Sequence, residues 1–461
     1  MTERRVMVLV ALLAAAVRLP GVYTQAFWQD EVASARIVTE PTFPRLLAHV
    51  ARTESTPPLW YALAWLANRA GTPLQDVRLL SVLAGALLAA AVVDLARRLV
   101  SLPLAALAGL LTALGGQLVV QGHELRAYEL LALLSVLLAR CLLAEVESPS
   151  RRRELALAAV VAAGGLTHYF FGFSVAAAVA WLWLEPAVRA ARRRASAAVL
   201  TGGAVAVLWL PVMLEQYHRD RFWWIGAFRL RTVVAAPARL FTTAYANTTP
   251  GAAVSIVGLL FVLAGCLYLW RLSPAGRLVA VLALAPLAEA AVLWSAGVRI
   301  FSLRNLVGIA PFVAVGAVCA LAALPWRALR LAAVAAAAGL ALLSLGPVAG
   351  GGVPRYDALA HALVAEGWTP AQPVAVFGDF FRYRAPLEWY LPHRPLLDAS
   401  RPRAVICRTV YVIRGVGVIR MRLDRPIDTV RRLRGATILA DPAAAPRCVR
   451  PITRGRLAAL A

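Results

Sequence analysis

Long apolar runs alternate with short polar connections along most of this chain. A helix that crosses the roughly 30 Å hydrocarbon core of a membrane needs about 20 residues, and about 17 is the lower limit. Runs of that kind lie near residues 5–22, 77–99, 103–121, 126–146, 155–171, 172–188, 196–214, 251–271, 277–296, 305–324 and 328–346. The pattern therefore predicts a mainly α-helical, polytopic membrane bundle of about eleven transmembrane helices.

Arginine clusters fall at every second connection between these runs. They lie at residues 3–5, 96–99, 150–154, 191–194, 271–277 and 326–330. Short basic loops mark the cytoplasmic side, so a cytoplasmic N-terminus would place every cluster inside. The outer segments are then 23–76, 122–125, 215–250, 297–304 and 347–461. The first run lacks a small-residue cleavage site, and we expect it to remain as an uncleaved helix.

Residues 55–71, STPPLWYALAWLANRAG, form a shorter apolar stretch. Counting this stretch as a crossing would place every later arginine cluster outside the cell. We therefore predict that it lies along the outer interface or dips into it without crossing. Trp60, Tyr61 and Trp65 suit that position, because amphipathic rings are favoured at the interface.

The chain changes character after residue 347. PRYDALAHALVAEG has the pattern of an amphipathic helix, and PVAVFGD, RAVICRTVYVIRG and ATILAD have the pattern of short strands. The sequence thus predicts a transmembrane domain over 1–346 and a small extracytoplasmic α/β domain over 347–461. Cys407 and Cys448 lie in the second domain, and their pairing in a disulfide stays open because sequence gives no distance.

The composition supports the membrane class. The chain is 61% hydrophobic and 16% charged, which is too apolar for an ordinary soluble globule. The formal net charge is +24, but all 48 basic residues are arginine. This compositional bias explains the charge, and we predict no nucleic-acid partner.

Asp30 and Glu31 follow the first apolar run, in the stretch FWQDEVASAR. Two interpretations remain open. Adjacent carboxylates repel and hold water, as solvated loop charges do. Phe27 and Trp28 favour a second interpretation, because a carboxylate against an apolar wall gains proton affinity and suits a general base.

A second polar group, QGHELRAYE, lies at a predicted outer boundary. It contains His123, Glu124, Arg126, Tyr128 and Glu129. In a helical segment, Glu124 and Tyr128 would share one face and Arg126 would point away from both. A planar guanidinium suits phosphate because it donates to two oxygens at once. The alternative is an ordinary polar hairpin in which Arg126 reaches lipid headgroups.

Further polar residues lie at predicted outer ends: His168 and Tyr169 in THYFF, and Arg304 in FSLRN. A lone histidine fits a structural role as well, and Arg304 is able to meet either a phosphate or a lipid headgroup. Glu289 lies near the middle of a predicted span, where an ionisable group serves function or pairs with an arginine. The sequence has no P-loop, nucleophile elbow or paired-histidine metal spacing, which argues against ATP-driven and serine-hydrolase activities.

In this order, FWQDE, TPPLWY, HELRAY, THY and FSLRN resemble the polytopic glycosyltransferases that use polyprenyl-phosphate sugars. This group includes the protein mannosyltransferase family and its aminoarabinose lipid A transferase relatives, and has the C-type glycosyltransferase fold. The resemblance covers approximately residues 1–310. Two positions depart from it: Thr56 replaces the usual histidine before the paired prolines, and the second loop has His123-Glu124 rather than Asp.

The resemblance implies roles for particular residues. Asp30, with Glu31 beside it, would be the catalytic base or the carboxylate that orients the acceptor, and Glu124 the acid of the second loop. The implied substrate-binding residues are Arg126, Tyr128, His168, Tyr169, Arg304, Pro57 and Pro58. No metal ligand is implied, and a divalent cation held by the acids stays open.

The implied reaction moves one sugar, a hexose or pentose, from a polyprenyl-phosphate donor to a lipid, polysaccharide or protein acceptor. It would take place among membrane lipids at the outer face of the cytoplasmic membrane, by a single displacement with inversion. Fixed guanidinium groups would stabilise the departing phosphate. Two alternatives stay open: a transporter or flippase of lipid-linked sugars that uses Glu289, and a non-catalytic scaffold or sensor of the cell envelope.

Overall fold

The structure is a computed structural model, and its described residues form two compact units. It describes residues 2–219, 222, 225–242, 251–324, 339, 355–365, 374–377, 380–391, 396–398, 411–415, 428–433 and 436–440. The first unit contains residues 1–23 and 37–352, and the second contains residues 24–36 and 353–461. The segment 24–36 therefore groups with the C-terminal part of the chain.

Helices account for nearly all regular structure before residue 325. In chain order they are α1 Glu3–Thr24, α2 Gln29–Val38, α3 Phe43–Thr53, α4 Leu59–Arg69, α5 Leu79–Arg97, α6 Leu102–Leu114, α7 Gly116–Gln121, α8 Tyr128–Glu147, α9 Arg151–Thr167, α10 Phe171–Leu184, α11 Arg192–Val207, α12 Leu210–His218, α13 Leu230–Thr242, α14 Ala252–Leu272, α15 Pro274–Ser295 and α16 Ala310–Ala323. Short 3₁₀ turns cover Asp76–Arg78, Pro186–Val188 and Leu303–Ile309. The prediction of a mainly α-helical protein is confirmed.

The helices of the first unit pack through apolar and small residues. Helix α5 packs against α6 and α8, and α14 packs against α15 and α16. Lipid tails are as apolar as leucine, so helices associate in a membrane where small residues let their backbones approach closely. Gly265 of α14 shows this, because a Cβ there would come within 1.8 Å of the Gly316 carbonyl oxygen on α16.

Ion pairs join the arginine clusters at one end of these helices. The pairs are Arg97 Nε–Glu3 Oε2 at 3.9 Å, Arg98 Nη1–Glu147 Oε1 at 2.7 Å and Arg194 Nε–Glu145 Oε1 at 3.0 Å. They show that α1 runs antiparallel to α5 and α11 antiparallel to α8, while α5 and α8 are parallel and end on the same side. This arrangement agrees with the prediction that these arginine clusters lie on one side of the membrane. The assignment of that side to the cytoplasm stays a prediction.

Five stretches of the described chain have the length and apolarity of membrane spans. They are Glu3–Thr24, Asp76–Arg97, Ala252–Leu272, Pro274–Ser295 and Leu303–Ala323. A sixth arises if α11 and α12, which meet at a bend of 56°, form one span. These helices are those of a multi-pass membrane protein. The total of eleven crossings stays a prediction, and the run 328–346 lies outside the described residues.

The structure corrects three of the sequence boundaries. The predicted span 103–121 is divided between α6 and α7, because Gly115 has the non-helical angles φ −57° and ψ 122°. The predicted span 196–214 contains the bend between α11 and α12. The predicted outer loop 215–250 contains helix α13, which packs against α14 and α7. Helix α13 has 13 residues, too few for the criterion of membrane crossing that was applied to the sequence.

The second unit contains helices and short strands beyond residue 354. They are α17 Tyr356–Ala365, β1 Val374–Phe377, α18 Phe380–Tyr390, β2 Leu396–Asp398, β3 Tyr411–Gly415, β4 Asp428–Leu433 and β5 Ala436–Ala440. The strands form one sheet in the order β2-β1-β3-β5-β4, in which β1 is parallel to β2 and β3 while β5 is antiparallel to β3 and β4. Cys407 and Cys448 lie outside the described residues. An α/β domain over all of 347–461, and its extracytoplasmic location, stay predictions.

Candidate functional site

The connection between α7 and α8 is not helical, which corrects the expected geometry of HELRAY. Residues 122–127 form turns and bends, and helix α8 begins only at Tyr128. The hydroxyl of Ser81, in the first turn of α5, donates to the backbone oxygens of Glu124 at 2.8 Å and Arg126 at 3.2 Å. These bonds satisfy carbonyls that a helix would have paired internally. Glu124 and Tyr128 therefore do not share a helix face.

Arg126 lies buried at this connection and binds two residues from the first predicted outer loop. Its Nη1 donates to Glu54 Oε2 at 3.2 Å and to the Tyr61 hydroxyl at 3.1 Å. Glu54 follows α3 directly and is only 6% exposed. A guanidinium and a carboxylate that are both withdrawn from water hold each other in a defined orientation.

Tyr61 completes this group from α4. Its hydroxyl lies 3.3 Å from the Oγ1 of Thr56. Thr56 is the residue that replaces the usual histidine before the paired prolines. Burial raises the pKa of Tyr61 well above its usual value, against the opposing charge of Arg126, so the phenol stays protonated. Pro57 is buried, and Pro58 occupies the N-cap position of α4 without a side-chain hydrogen bond. The prolines thus fix the start of the helix that carries Tyr61.

An aromatic layer lies beside Arg126. Its guanidinium carbon is 5.8 Å from the centre of the Tyr128 ring, and that ring is 5.5 Å from the His168 ring. The Phe170 backbone N–H donates to His168 Nδ1 at 3.2 Å, so a neutral His168 carries its proton on Nε2. His168 therefore offers Nε2–H as a hydrogen-bond donor next to the Tyr128 ring, over which the Arg126 guanidinium lies.

Arg304 acts on the same imidazole. It lies half-buried in the 3₁₀ turn that precedes α16. Burial lowers the pKa of His168 to about 3, and the positive charges of Arg126 and Arg304 act in the same direction. Arg126, Tyr128 and His168 thus lie next to one another across two connections, and Arg304 contributes its charge from a third. We call Glu54, Thr56, Tyr61 and these four residues the arginine site.

Tyr169 points to a different neighbour. Its hydroxyl donates to Gln216 Oε1 at 2.6 Å, and Gln216 Nε2 donates to the Val50 backbone oxygen at 3.0 Å. Tyr169 therefore connects the α9–α10 turn with α12 and α3. This arrangement gives Tyr169 a bracing role around the arginine site rather than a place in its aromatic layer.

A second buried ion pair supports the α7–α8 connection. Arg18 of α1 donates through Nη2 to Glu129 Oε1 of α8 at 3.0 Å, and both side chains are 0% exposed. Arg18 Nη1 also donates to the Ala113 backbone oxygen at 2.8 Å. Sequence reasoning assigned no role to Arg18 or to Glu54. A signal for Arg18 was its charge inside an otherwise apolar run, which requires a partner in a membrane.

Gly122 tests how tightly this pair is packed. A Cβ at Gly122 would lie 2.2 Å from Arg18 Nε and 2.8 Å from Glu129 Oε1. We expect Gly122→Ala to lower the free energy of unfolding by about 1–3 kcal/mol, measured by thermal unfolding in detergent, because the pair must shift. Gly172→Ala is the matched control, since nothing lies within 4 Å of a Cβ at that position of α10. Equal stability of the two variants would contradict the tight packing.

His123 and Glu124 are buried beside this pair. Their side chains are 1% and 3% exposed, and a Cβ at Gly21 would lie 2.5 Å from His123 Cγ. Burial, with the charges of Arg78 and Arg18, lowers the pKa of His123 to about 3, so the ring is neutral at pH 7. His123 therefore adds no positive charge to the site.

Asp30 and Glu31 belong to the second unit and open helix α2. Both lie in its first turn, Asp30 partly exposed and Glu31 1% exposed. Carboxylates are stabilised at a helix N-terminus by about 0.3–1 kcal/mol. If Asp30 and Glu31 are only structural, removing one of these charges should therefore cost no more than this in stability and should leave catalysis unchanged.

Metal binding was left open by the sequence. Over the part of the chain that the structure describes, no three His, Cys, Asp or Glu side chains lie together in a way that suits a metal ion. The three cysteines described, Cys141, Cys266 and Cys319, are free thiols in α8, α14 and α16.

Comparison of sequences gives one family. Residues 55–214, about a third of the chain, match the family described as dolichyl-phosphate-mannose-protein mannosyltransferase. The matched range begins one residue after Glu54 and includes Pro57, Tyr61, Arg126 and His168. No curated protein sequence matches the chain.

Solved structures share the fold. ArnT from Cupriavidus metallidurans bound to undecaprenyl phosphate has a TM-score of 0.55 at 15% identity, over 95% of this chain and 99% of that protein. The Archaeoglobus fulgidus oligosaccharyltransferase AglB, with an inhibitory peptide and a dolichol-phosphate, has a TM-score of 0.54 at 15% identity, over 90% of this chain and 69% of that protein.

A further Archaeoglobus fulgidus oligosaccharyltransferase structure, a complex with zinc and sulfate, has a TM-score of 0.52 at 16% identity and covers 84% of this chain. The present chain spans 61% of the length of that protein. At these identities the likeness establishes the fold. The resemblance of this chain to the polyprenyl-phosphate-sugar glycosyltransferases is thus confirmed, by a family match over residues 55–214 and by the C-type glycosyltransferase fold.

Proposed function

We propose that this protein transfers a monosaccharide from a polyprenyl-phosphate donor to a cell-envelope acceptor at the outer face of the cytoplasmic membrane. The observation that supports this most is the buried Arg126 guanidinium, which hydrogen bonds to Glu54 and Tyr61 hold in one orientation. A guanidinium of fixed orientation, together with the positive charge of Arg304 and the Nε2 donor of His168, suits an anion with several oxygens, such as a phosphate ester.

The depth of the arginine site also suits a lipid-linked substrate. The polyprenyl chain of the donor stays in the bilayer, so its phosphate lies at headgroup level and must be met by side chains near helix ends. Arg126 precedes α8, His168 follows α9 and Arg304 precedes α16. The Glu54 carboxylate and the Tyr61 hydroxyl hold Arg126 before any donor arrives, which lowers the cost of ordering the guanidinium on binding.

The proposed reaction is a single displacement with inversion at the anomeric carbon. An acceptor hydroxyl forms the new C–O bond while the bond from the anomeric carbon to the phosphate oxygen breaks. The hydroxyl proton passes to the Asp30 carboxylate, and the electron pair leaves on the polyprenyl phosphate. Arg126 and Arg304 stabilise the negative charge that develops there. Glu31 and Glu124 are proposed to orient the acceptor and the sugar.

Incubation of the purified protein with a panel of polyprenyl-phosphate sugars tests the proposal. Hexose and pentose donors would each be offered with and without lipid, polysaccharide and peptide acceptors. We expect loss of one donor that depends on one acceptor, with release of polyprenyl phosphate in equal amount. If no donor in the panel is consumed in an acceptor-dependent way, the proposed transferase activity is wrong.

Transport is the second candidate, and Glu289 favours it. Its Oε2 is buried and has no hydrogen-bond partner among the residues that the structure describes. A polar group of this kind inside a bundle suits a path for a polar headgroup. In liposomes a transporter would move the donor between leaflets without releasing sugar, so the same donors distinguish the two functions.

A further inference from the structure

The segment that carries Asp30 and Glu31 is bound by a helix from the far end of the chain. The Phe27 backbone N–H donates to the Tyr390 hydroxyl at 2.9 Å, although the two residues are 363 positions apart. The Phe27 ring also meets the Trp389 ring edge-on, with centroids 6.3 Å apart. Both partners lie in the last turn of α18.

A third contact lies on the other side of the acidic pair. Arg36, in the last turn of α2, donates through Nη2 to Glu388 Oε2 at 3.5 Å. Arg384 donates to the other oxygen of the same carboxylate at 2.7 Å. This ion pair is partly exposed and contributes little energy by itself. It nevertheless means that α18 holds the segment at two points, before and after Asp30.

Helix α18 is itself fixed within the second unit. It packs against α17 and β1, and its Leu387 is 0% exposed. A residue held by a packed helix is oriented more precisely than one in a free loop, and small misplacements of reacting groups are costly in rate.

We propose that helix α18 positions the acidic segment 24–36 of the same unit for sugar transfer, and that Tyr390 and Trp389 are the positioning residues. This rests on the proposed function, in which Asp30 receives the proton of the acceptor. The hydroxyl of Tyr390 satisfies the backbone donor of Phe27, just before α2 begins. Trp389 fixes the Phe27 ring, and Glu388 holds the other end of α2.

Hydrogen–deuterium exchange and kinetics on the full-length protein test the proposal together. Tyr390→Phe removes only the hydroxyl, and we expect the Phe27 amide to exchange on the order of fivefold faster. The same variant should lower kcat by about fivefold and leave the KM for the donor within about twofold. Trp389→Ala should act in the same direction and more strongly, and Trp389→Phe should restore most of the activity.

Tyr23→Phe is the matched control, because its ring is 57% exposed and it lies beside the same segment. It should change neither exchange nor kcat. Unchanged exchange of residues 24–36 in Tyr390→Phe and Trp389→Ala would overturn the contact with α18. Faster exchange with unchanged kcat would overturn the positioning role while leaving the proposed function intact. If the unmodified protein transfers no sugar, the proposed function fails, and exchange alone then decides whether α18 holds the segment.

Discussion

Asp30→Asn should lower kcat for sugar transfer by about 10²–10⁴-fold, the usual contribution of a general base. The change keeps the size of the side chain and its capacity to accept a hydrogen bond, but the amide cannot take the proton of an acceptor hydroxyl. Transfer would be measured as release of polyprenyl phosphate from the donor identified with the panel. The KM for the donor should change little, because the donor phosphate is assigned to the arginine site.

The structural interpretation of Asp30 predicts a different result for the same variant. A carboxylate in the first turn of α2 stabilises the helix by about 0.3–1 kcal/mol, so Asp30→Asn would then lower stability slightly and leave turnover near normal. Asp76→Asn is the matched control, since Asp76 also lies in the first turn of a helix and is partly exposed. Near-normal turnover in Asp30→Asn would remove Asp30 from the mechanism.

Arg304→Ala should lower kcat/KM for the donor by about 10²–10³-fold. Removing one fixed donor to a developing negative charge has an effect of this size in other enzymes. If Arg304 meets the phosphate mainly as it leaves, the loss falls on kcat; if it also binds the intact donor, KM rises as well. Steady-state kinetics with varied donor concentration separates the two.

Arg304 is a cleaner choice than Arg126 for this test. Removing Arg126 would leave Glu54 buried without its cation, and a loss of folding would then be mistaken for a loss of catalysis. Arg299→Ala is the matched control, because Arg299 is exposed and lies five positions earlier in the same connection. Equal kinetics in the two variants would show that Arg304 meets no phosphate during the reaction.

The positions of most helices were predictable because hydrophobic patterning is a local property. The apolar runs near 5–22, 77–99 and 251–271 correspond to α1, α5 and α14 with small shifts at their ends. The predicted helix boundaries were wrong where the helix breaks without any change in the hydrophobic pattern. The division at Gly115 and the bend between α11 and α12 interrupt runs that remain apolar throughout.

Part of the candidate site was predictable from the order of its motifs. Asp30, Glu124, His168 and Arg304 were expected at one depth, at the outer ends of their helices, and their convergence on one pocket stays a prediction. The structure does place Arg126, Tyr128 and His168 next to one another. The orientation of Arg126 away from Tyr128 was conditional on a helical segment, and residues 122–127 form turns and bends instead. The catalytic and binding roles of the site residues stay proposals.

The class of protein and most of its helices follow from local patterns in the chain, as does the order in which its acidic and basic groups occur. Which distant groups meet depends on the packing of the whole chain: the charges of Arg126 and Glu54 meet across 72 positions and those of Arg18 and Glu129 across 111, and the Phe27 amide meets the Tyr390 hydroxyl across 363. Apolar periodicity depends only on residues within a few helical turns of one another, so it can be recognised in the sequence. The partner of a buried charge depends on which helices pack side by side, and that is fixed only when the whole bundle has formed.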